Sequence, residues 1–182
     1  MKELKTPIDD ETIKNLNAGD MVYLSGKIYT ARDAAHKKLT ELAEGGGQLP
    51  FEFEGQAVFY AGPAPARPGK PTGSIGPTTA GRMDLYAPLL ISKGLRIMIG
   101  KGLRSKEVTE AIIKYQGVYF AATGGIAALM AKCVISSHII AFEELGTEAI
   151  RELEVVKLPV ITAIDCRGRN LYDEGRQKWN IC

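Results

Sequence analysis

The sequence predicts a single α/β domain, and three observations carry that prediction. Strand-type and helix-type runs alternate along most of the chain. Its 182 residues match one large domain, long enough to bury a core without disulfide staples. The composition, 45% hydrophobic and 24% charged, is that of an ordinary globular protein. A net charge of +2 is too small to announce a nucleic-acid or membrane partner, so any anion binding must be local.

The elements follow in order. DMVYLSGKIYT, Asp20 to Thr30, is rich in β-branched and aromatic residues and reads as a strand broken at Gly26. TARDAAHKKLTELAEGGG reads as a helix. Ala35, Leu39 and Leu42 share a face, Thr30 is a candidate cap, Gly45 to Gly47 end it, and Arg32 falls in its first turn. Gln56 to Ala61 reads as a short strand. GPAPARPGKPTGSIGPTTAG, residues 62 to 81, then places five prolines and five glycines in twenty residues. So long a loop inside a compact domain is either functional or disordered, and no second compositional block follows it as one would follow a linker. The functional reading is preferred.

Beyond the loop, a helix is predicted from Arg82 to Ser92, a buried strand over Leu95 to Ile99 and a helix over Ser105 to Gln116, with Ser105 as its cap. A strand at Val118 to Ala122 and a short helix from Gly125 to Lys132 come next. Further strands are placed near Ile139 to Phe142, Ala149 to Val156 and Val160 to Asp165. A hairpin-like turn at CRGRN, residues 166 to 170, leads to a short final strand around Leu171 and Tyr172.

Some chemistries are excluded early. Cys133, Cys166 and Cys182 are widely spaced with no CxxC pairing, so they do not read as a metal site. The N-terminal MKELKTPIDDETIK has no apolar signal region and no apolar run reaches membrane-spanning length, which suggests a cytoplasmic protein. GPAPARPGKPTG is not a P-loop. Six residues separate Gly62 from Gly69, and Pro71 stands where a Ser or Thr would meet magnesium. His138 lies beside an apolar run and reads as structural, whereas His36, four residues after Arg32, shares a helical face that could line a site.

What remains is a set of cations at element ends: Arg32 at a helix start, Arg82 just after GPTTAG, and Lys101 in IGKG just past a buried strand. Ligands of α/β proteins gather where strands end and helices begin, because unpaired backbone N–H groups there face anions. Gly100 and Gly102 would let a backbone approach a ligand, or merely turn the chain. Thr123-Gly124-Gly125 before a short helix is another candidate anion seat, with close packing the preferred explanation.

PTGSIGPTTAGRMDLY, with TARDAAH upstream and IGKGLRS, TGGIAALMAK and FEELGTEAI downstream, resembles the β subunit, or C-terminal domain, of the iron–sulfur-dependent class I fumarate hydratases and L(+)-tartrate dehydratases. The likeness runs in order from about Leu4 to Tyr172. It implies a swivelling β/β/α domain and a hydro-lyase that interconverts fumarate and (S)-malate, or dehydrates tartrate. It also implies that a four-iron four-sulfur cluster belongs to a separate α subunit, in a heterodimer or α2β2 assembly, with no metal held by this chain. By motif, Thr78 resembles the catalytic base, with Thr79 as the neighbouring competitor, and Arg32, Arg82 and Lys101 resemble the binders of the substrate's carboxylates and hydroxyl. His36, Gly76 and Gly100 are further candidates. The family's KGNR is KGLR here, so Leu103 replaces a polar residue while Arg104 keeps the charge.

Elementary chemistry fits these assignments. Fumarate carries two carboxylates, and a guanidinium fork matches a carboxylate bidentately. Charge that develops on a carboxylate during proton removal also needs preorganised cations. A threonine hydroxyl is a poor base at neutral pH, so Thr78 needs positive charge or N–H donors close by. The competing reading is a non-catalytic anion-binding module of the same fold.

Overall fold

The computed structural model describes residues 1–179, so Cys182 lies outside the described residues. Two elements precede the first predicted strand: β1, Lys2–Lys5, and α1, Asp10–Lys14, whose N-cap Asp9 accepts a hydrogen bond from the Thr12 N–H. Then come β2, Met21–Thr30, α2, Asp33–Glu44, and β3, Ala57–Phe59. The chain from Gly62 to Thr78 forms neither helix nor strand, in keeping with its prolines and glycines. The remaining elements are α3, Ala87–Ser92, β4, Ile97–Gly100, α4, Lys106–Tyr115, β5, Val118–Ala121, and α5, Ala127–Ala131. After them lie β6, Val134–Ala141, β7, Ile150–Ile164, and α6, Leu171–Trp179.

The seven strands form one sheet in the order β1-β2-β3-β4-β5-β7-β6, and β2 also pairs with β7. That extra pairing closes β2, β3, β4, β5 and β7 into a barrel. β2 to β5 run parallel and β7 returns antiparallel, while β1 and β6 extend the sheet beside β2 and β7. Alternation along the parallel strands splits the core in two. Ala57, Phe59, Ile97, Ile99, Val118 and Phe120 share one buried cluster. Val58, Tyr60, Met98 and Tyr119 pack in a second with Leu39 of α2, Leu90 of α3 and Ile112 of α4. Helices therefore cover the outside, and β3, β4 and β5 are buried on both faces, which explains their unbroken apolar runs.

Several expectations are corrected. β2 is not broken at Gly26. It runs through a bulge there, at φ +97, where Leu24 faces Leu158 but Gly26 faces Val155. β7 is likewise one strand, not two. Pro159 sits exposed and Lys157, at φ +52, donates its N–H to Ser25 Oγ, so the strand bends without ending. β6 begins five residues before the predicted Ile139. The predicted helix from Arg82 divides into a 3-10 turn, Ala80–Met83, and α3, where Pro88 sits in the first turn. The turn at residues 166 to 170 forms, with Ile164 bridging Asn170, but a helix follows it rather than a strand. The Asn170 side chain accepts from the Tyr172 N–H, and Asp173 and Glu174 occupy the first turn, a helix-start pattern that outweighs the Leu-Tyr pair. No helix among the described residues is long and apolar enough to cross a membrane.

Candidate functional site

The predicted residues meet at the rim where the parallel strands end. Lys101 directly follows β4, and Thr79 forms a parallel bridge with it. Around that bridge the Thr78 N–H donates to the Tyr60 carbonyl at 2.6 Å, the Lys101 N–H to the Thr78 carbonyl at 3.2 Å and the Ala80 N–H to the Lys101 carbonyl at 2.8 Å. Irregular as it looks, the end of the Pro/Gly loop is thus added to the sheet as a fragment of strand. Thr78 is half-buried and Thr79 is exposed. Arg82 follows within the 3-10 turn, its own N–H bonded back to the Thr79 carbonyl.

Arg32 arrives from the end of β2. It is the N-cap of α2 rather than part of its first turn, and its side chain makes no capping bond. Thr30 is not the cap, because its hydroxyl accepts from the Arg151 N–H across the sheet. The helix N-terminus is closed by Glu148, whose carboxylate accepts from the Ala34 N–H and from Arg32 Nη2, each at 2.8 Å. Burial works against that charge, but the Ala34 N–H and the Arg32 guanidinium outweigh it and hold the carboxyl below its usual range. The anion seat expected at this helix start is therefore taken by the protein's own carboxylate.

Asp33 joins the two arginines. Arg82 Nε donates to Asp33 Oδ1 at 2.8 Å, and Arg32 Nε lies 3.7 Å from Asp33 Oδ2. Two guanidiniums 50 residues apart in sequence are thus gathered on one carboxylate. Lys101, by contrast, has no carboxylate within ion-pair distance among the described residues, and its ammonium lies near Gly124. It borders a cavity of about 320 Å³ whose walls include Thr123, Gly124 and Tyr172. A larger cavity of about 810 Å³, between the Pro/Gly loop and α5, is lined by none of Arg32, Thr78, Arg82 and Lys101.

The other candidates lie behind this rim. His36 is fully buried, with Nδ1 3.3 Å from the Arg32 carbonyl and its ring edge-on to Tyr60. Since a carbonyl can only accept, Nδ1 carries the proton. Burial foremost, and the charge of Arg104 after it, push the imidazole down to about 3. Gly100 and Gly76 serve close packing: a Cβ on Gly100 would lie 3.0 Å from both Ala80 and Tyr60, and one on Gly76 3.0 Å from Ala127. His138 is exposed on β6, in register with Glu152 of β7. Cys133 is half-buried and Cys166 buried, both as free thiols, and no group of three or more His, Cys, Asp or Glu among the described residues could hold a metal ion. The residues described here do not fit a cluster site.

Sequence reasoning missed Asp33 and Glu148. Both stand inside the motifs quoted above, Asp33 in TARDAAH and Glu148 in FEELGTEAI. The signal was a carboxylate beside Arg32 in the first motif and three glutamates in the second, and only folding shows which cation each meets.

The strand-end rim of this closed α/β barrel thus brings together three cations, Arg32, Arg82 and Lys101, and two threonines, Thr78 and Thr79. The chain belongs to the Fumarase C-terminus family, whose model matches residues 2–175. Among its relatives, the anaerobic class I fumarate hydratase of Escherichia coli (strain K12) is 44% identical over 153 residues, covering 83% of this chain and 28% of that protein. Fumarate hydratase 2 of Leishmania major is 41% identical over 176 residues, covering 94% of this chain and 31% of the relative. The L(+)-tartrate dehydratase subunit beta of Escherichia coli (strain K12) is 32% identical over 181 residues, covering 97% of this chain and 89% of the relative. The chain thus spans less than a third of the fumarate hydratases it matches.

Proposed function

We propose that this chain is the β subunit of a two-subunit hydro-lyase that hydrates fumarate reversibly to (S)-malate. One observation carries the reading: Arg32 and Arg82 converge on Asp33 at the same rim where Thr78 and Lys101 are joined through the sheet. The barrel with its outer helices acts in this reading as a swivelling β/β/α domain, with residues 62–81 as its active-site loop. A partner subunit contributes a four-iron four-sulfur cluster that serves as Lewis acid for the substrate hydroxyl, in a heterodimer or α2β2 assembly.

This chain's residues supply binding and proton handling. Arg32 and Arg82 take the substrate carboxylates, exchanging part of their bonding to Glu148 and Asp33 for the dianion. Lys101, with no carboxylate within ion-pair distance among the described residues, supports the charge that grows as the proton leaves carbon. Thr78 Oγ, as the alkoxide left when its own proton passes to solvent, accepts the carbon's proton in elimination and returns it in hydration. Its hydroxyl rises from a backbone tied on both sides, by Tyr60 and by Lys101.

Anaerobic co-expression with a cluster-bearing partner is expected to give a complex that hydrates fumarate. An assembled, cluster-loaded complex inert on every hydroxy-dicarboxylate would reduce the chain to a non-catalytic anion-binding module. A second reading, L(+)-tartrate dehydratase subunit, is favoured by one observation, the 89% coverage of a tartrate dehydratase beta subunit. Comparing malate with tartrate as substrates separates the two.

A further inference from the structure

Arg104 is the most deeply buried cation of the chain's rim, its side chain 0% exposed, and no role above uses it. Its Nε donates to Asp84 Oδ1 at 2.7 Å, and the other Asp84 oxygen accepts from the Ser105 N–H at 2.5 Å. Nη1 reaches the Tyr60 hydroxyl at 3.4 Å. The guanidinium also lies over two rings, 5.3 Å from the centroid of Tyr60 and 5.1 Å from that of Tyr119. Each contact leads to a different functional segment. Tyr60 holds the Thr78 N–H through its carbonyl, Asp84 lies two residues past Arg82, and the Tyr119 hydroxyl donates to the Gly102 carbonyl beside Lys101. His36, edge-on to the same Tyr60 ring, backs the Arg32 carbonyl.

Stability alone does not account for such a group. Replacing a buried ion pair with apolar side chains of similar volume is often neutral or stabilising. An apolar filler, however, has no direction, whereas the planar guanidinium meets three segments at set angles. We propose that Arg104 is a positioning residue, a buried strut that fixes Thr78, Arg82 and Lys101 relative to one another. The proposal rests on the hydro-lyase reading for its effect on turnover but not for its effect on structure.

The test uses the full chain, alone and in the cluster-loaded complex. Arg104→Lys, which keeps the charge and loses the fork, is expected to speed amide exchange at Thr78, Ala80 and Lys101 tenfold or more. Exchange along the β2–β7 ladder should change less than twofold. In the complex, kcat should fall at least tenfold with KM within threefold. Pairing Arg104→Met with Asp84→Leu removes the charges together, and melting temperature should be retained while turnover is not regained. Should either variant fail to fold, Tyr60→Phe and Tyr119→Phe decide, each expected to lower kcat three- to fivefold and to loosen the same amides. Exchange and kcat both within twofold of wild type across the folded variants would overturn the proposal. A wild-type complex without turnover would refute the hydro-lyase reading instead, and the exchange rates would still decide the strut.

Discussion

The rim has two halves that hold their functional groups by different means. Arg32 and Arg82 are braced by side-chain charge, on Glu148 and Asp33. Thr78 and Lys101 are braced by backbone, through the bridge that joins the Pro/Gly loop to the end of β4. The difference suits the part that the proposed reaction gives to each half. A guanidinium paired with a carboxylate is aimed before substrate arrives and can trade one anion for another, whereas a hydroxyl that receives a proton must sit at one place. Charge bracing is also open to salt and pH, and backbone bracing much less so.

The largest effect expected from breaking this contrast falls on the backbone-braced half. Thr78→Ala in the assembled complex should lower kcat by roughly a hundredfold or more with little change in KM, as for removal of a general base. Near-normal turnover would transfer the role to Thr79 or to the partner.

The next effect concerns pH, through the imidazole behind Arg32. His36 is held at about 3 in the folded chain, by burial first and by Arg104 second, against about 6.5 when unfolded. Below 6.5 the unfolded chain binds a proton that the folded chain refuses, so stability present above that pH is lost as pH falls toward 3. The loss between pH 7 and pH 5 should be roughly 2 kcal/mol, some thirtyfold in the folding equilibrium. Urea titrations at the two pH values measure it, and His36→Asn should flatten the difference. Equal pH dependence in both proteins would assign the acid sensitivity elsewhere.

Smaller changes are expected from the carboxylate braces. Glu148→Gln keeps an acceptor for the Ala34 N–H but removes the charge facing Arg32, and KM should rise about tenfold, the scale of one charge-assisted hydrogen bond. A lower KM would instead show that Glu148 competes with substrate. Asp33→Asn loosens an exposed pairing to Arg82 and should change KM by about threefold. If Asp33→Asn costs more than Glu148→Gln, the bridging carboxylate is the main brace of the two.

Much of the fold was legible in the chain. The helix at residues 106–115 announced itself by Ser105 and an apolar face, and the fully buried strands by runs such as IMIG and VYFA. Misreadings fell where one local signal hid another. The break expected between Val156 and Val160 falls where β7 only bends, and the Leu-Tyr pair after Asn170 masked a helix start. At the site, motifs pointed to Thr78, Arg32, Arg82 and Lys101 one by one, but no periodicity could say that Asp33 would collect two arginines or that Arg104 would be buried.

The sequence by itself determined the element types, the irregular loop and the residue kinds available for binding an anion, because propensity, periodicity and proline or glycine backbone limits act within a few residues. Only the tertiary structure decided which charges meet. Closure of β7 onto β2 brings Glu148, just ahead of β7, to the start of α2, and the parallel register of β3 and β4 sets Thr78 between Tyr60 and Lys101. Those pairings depend on contacts across more than a hundred residues in one case and on sheet order in the other, neither of which is written in any local stretch of the chain.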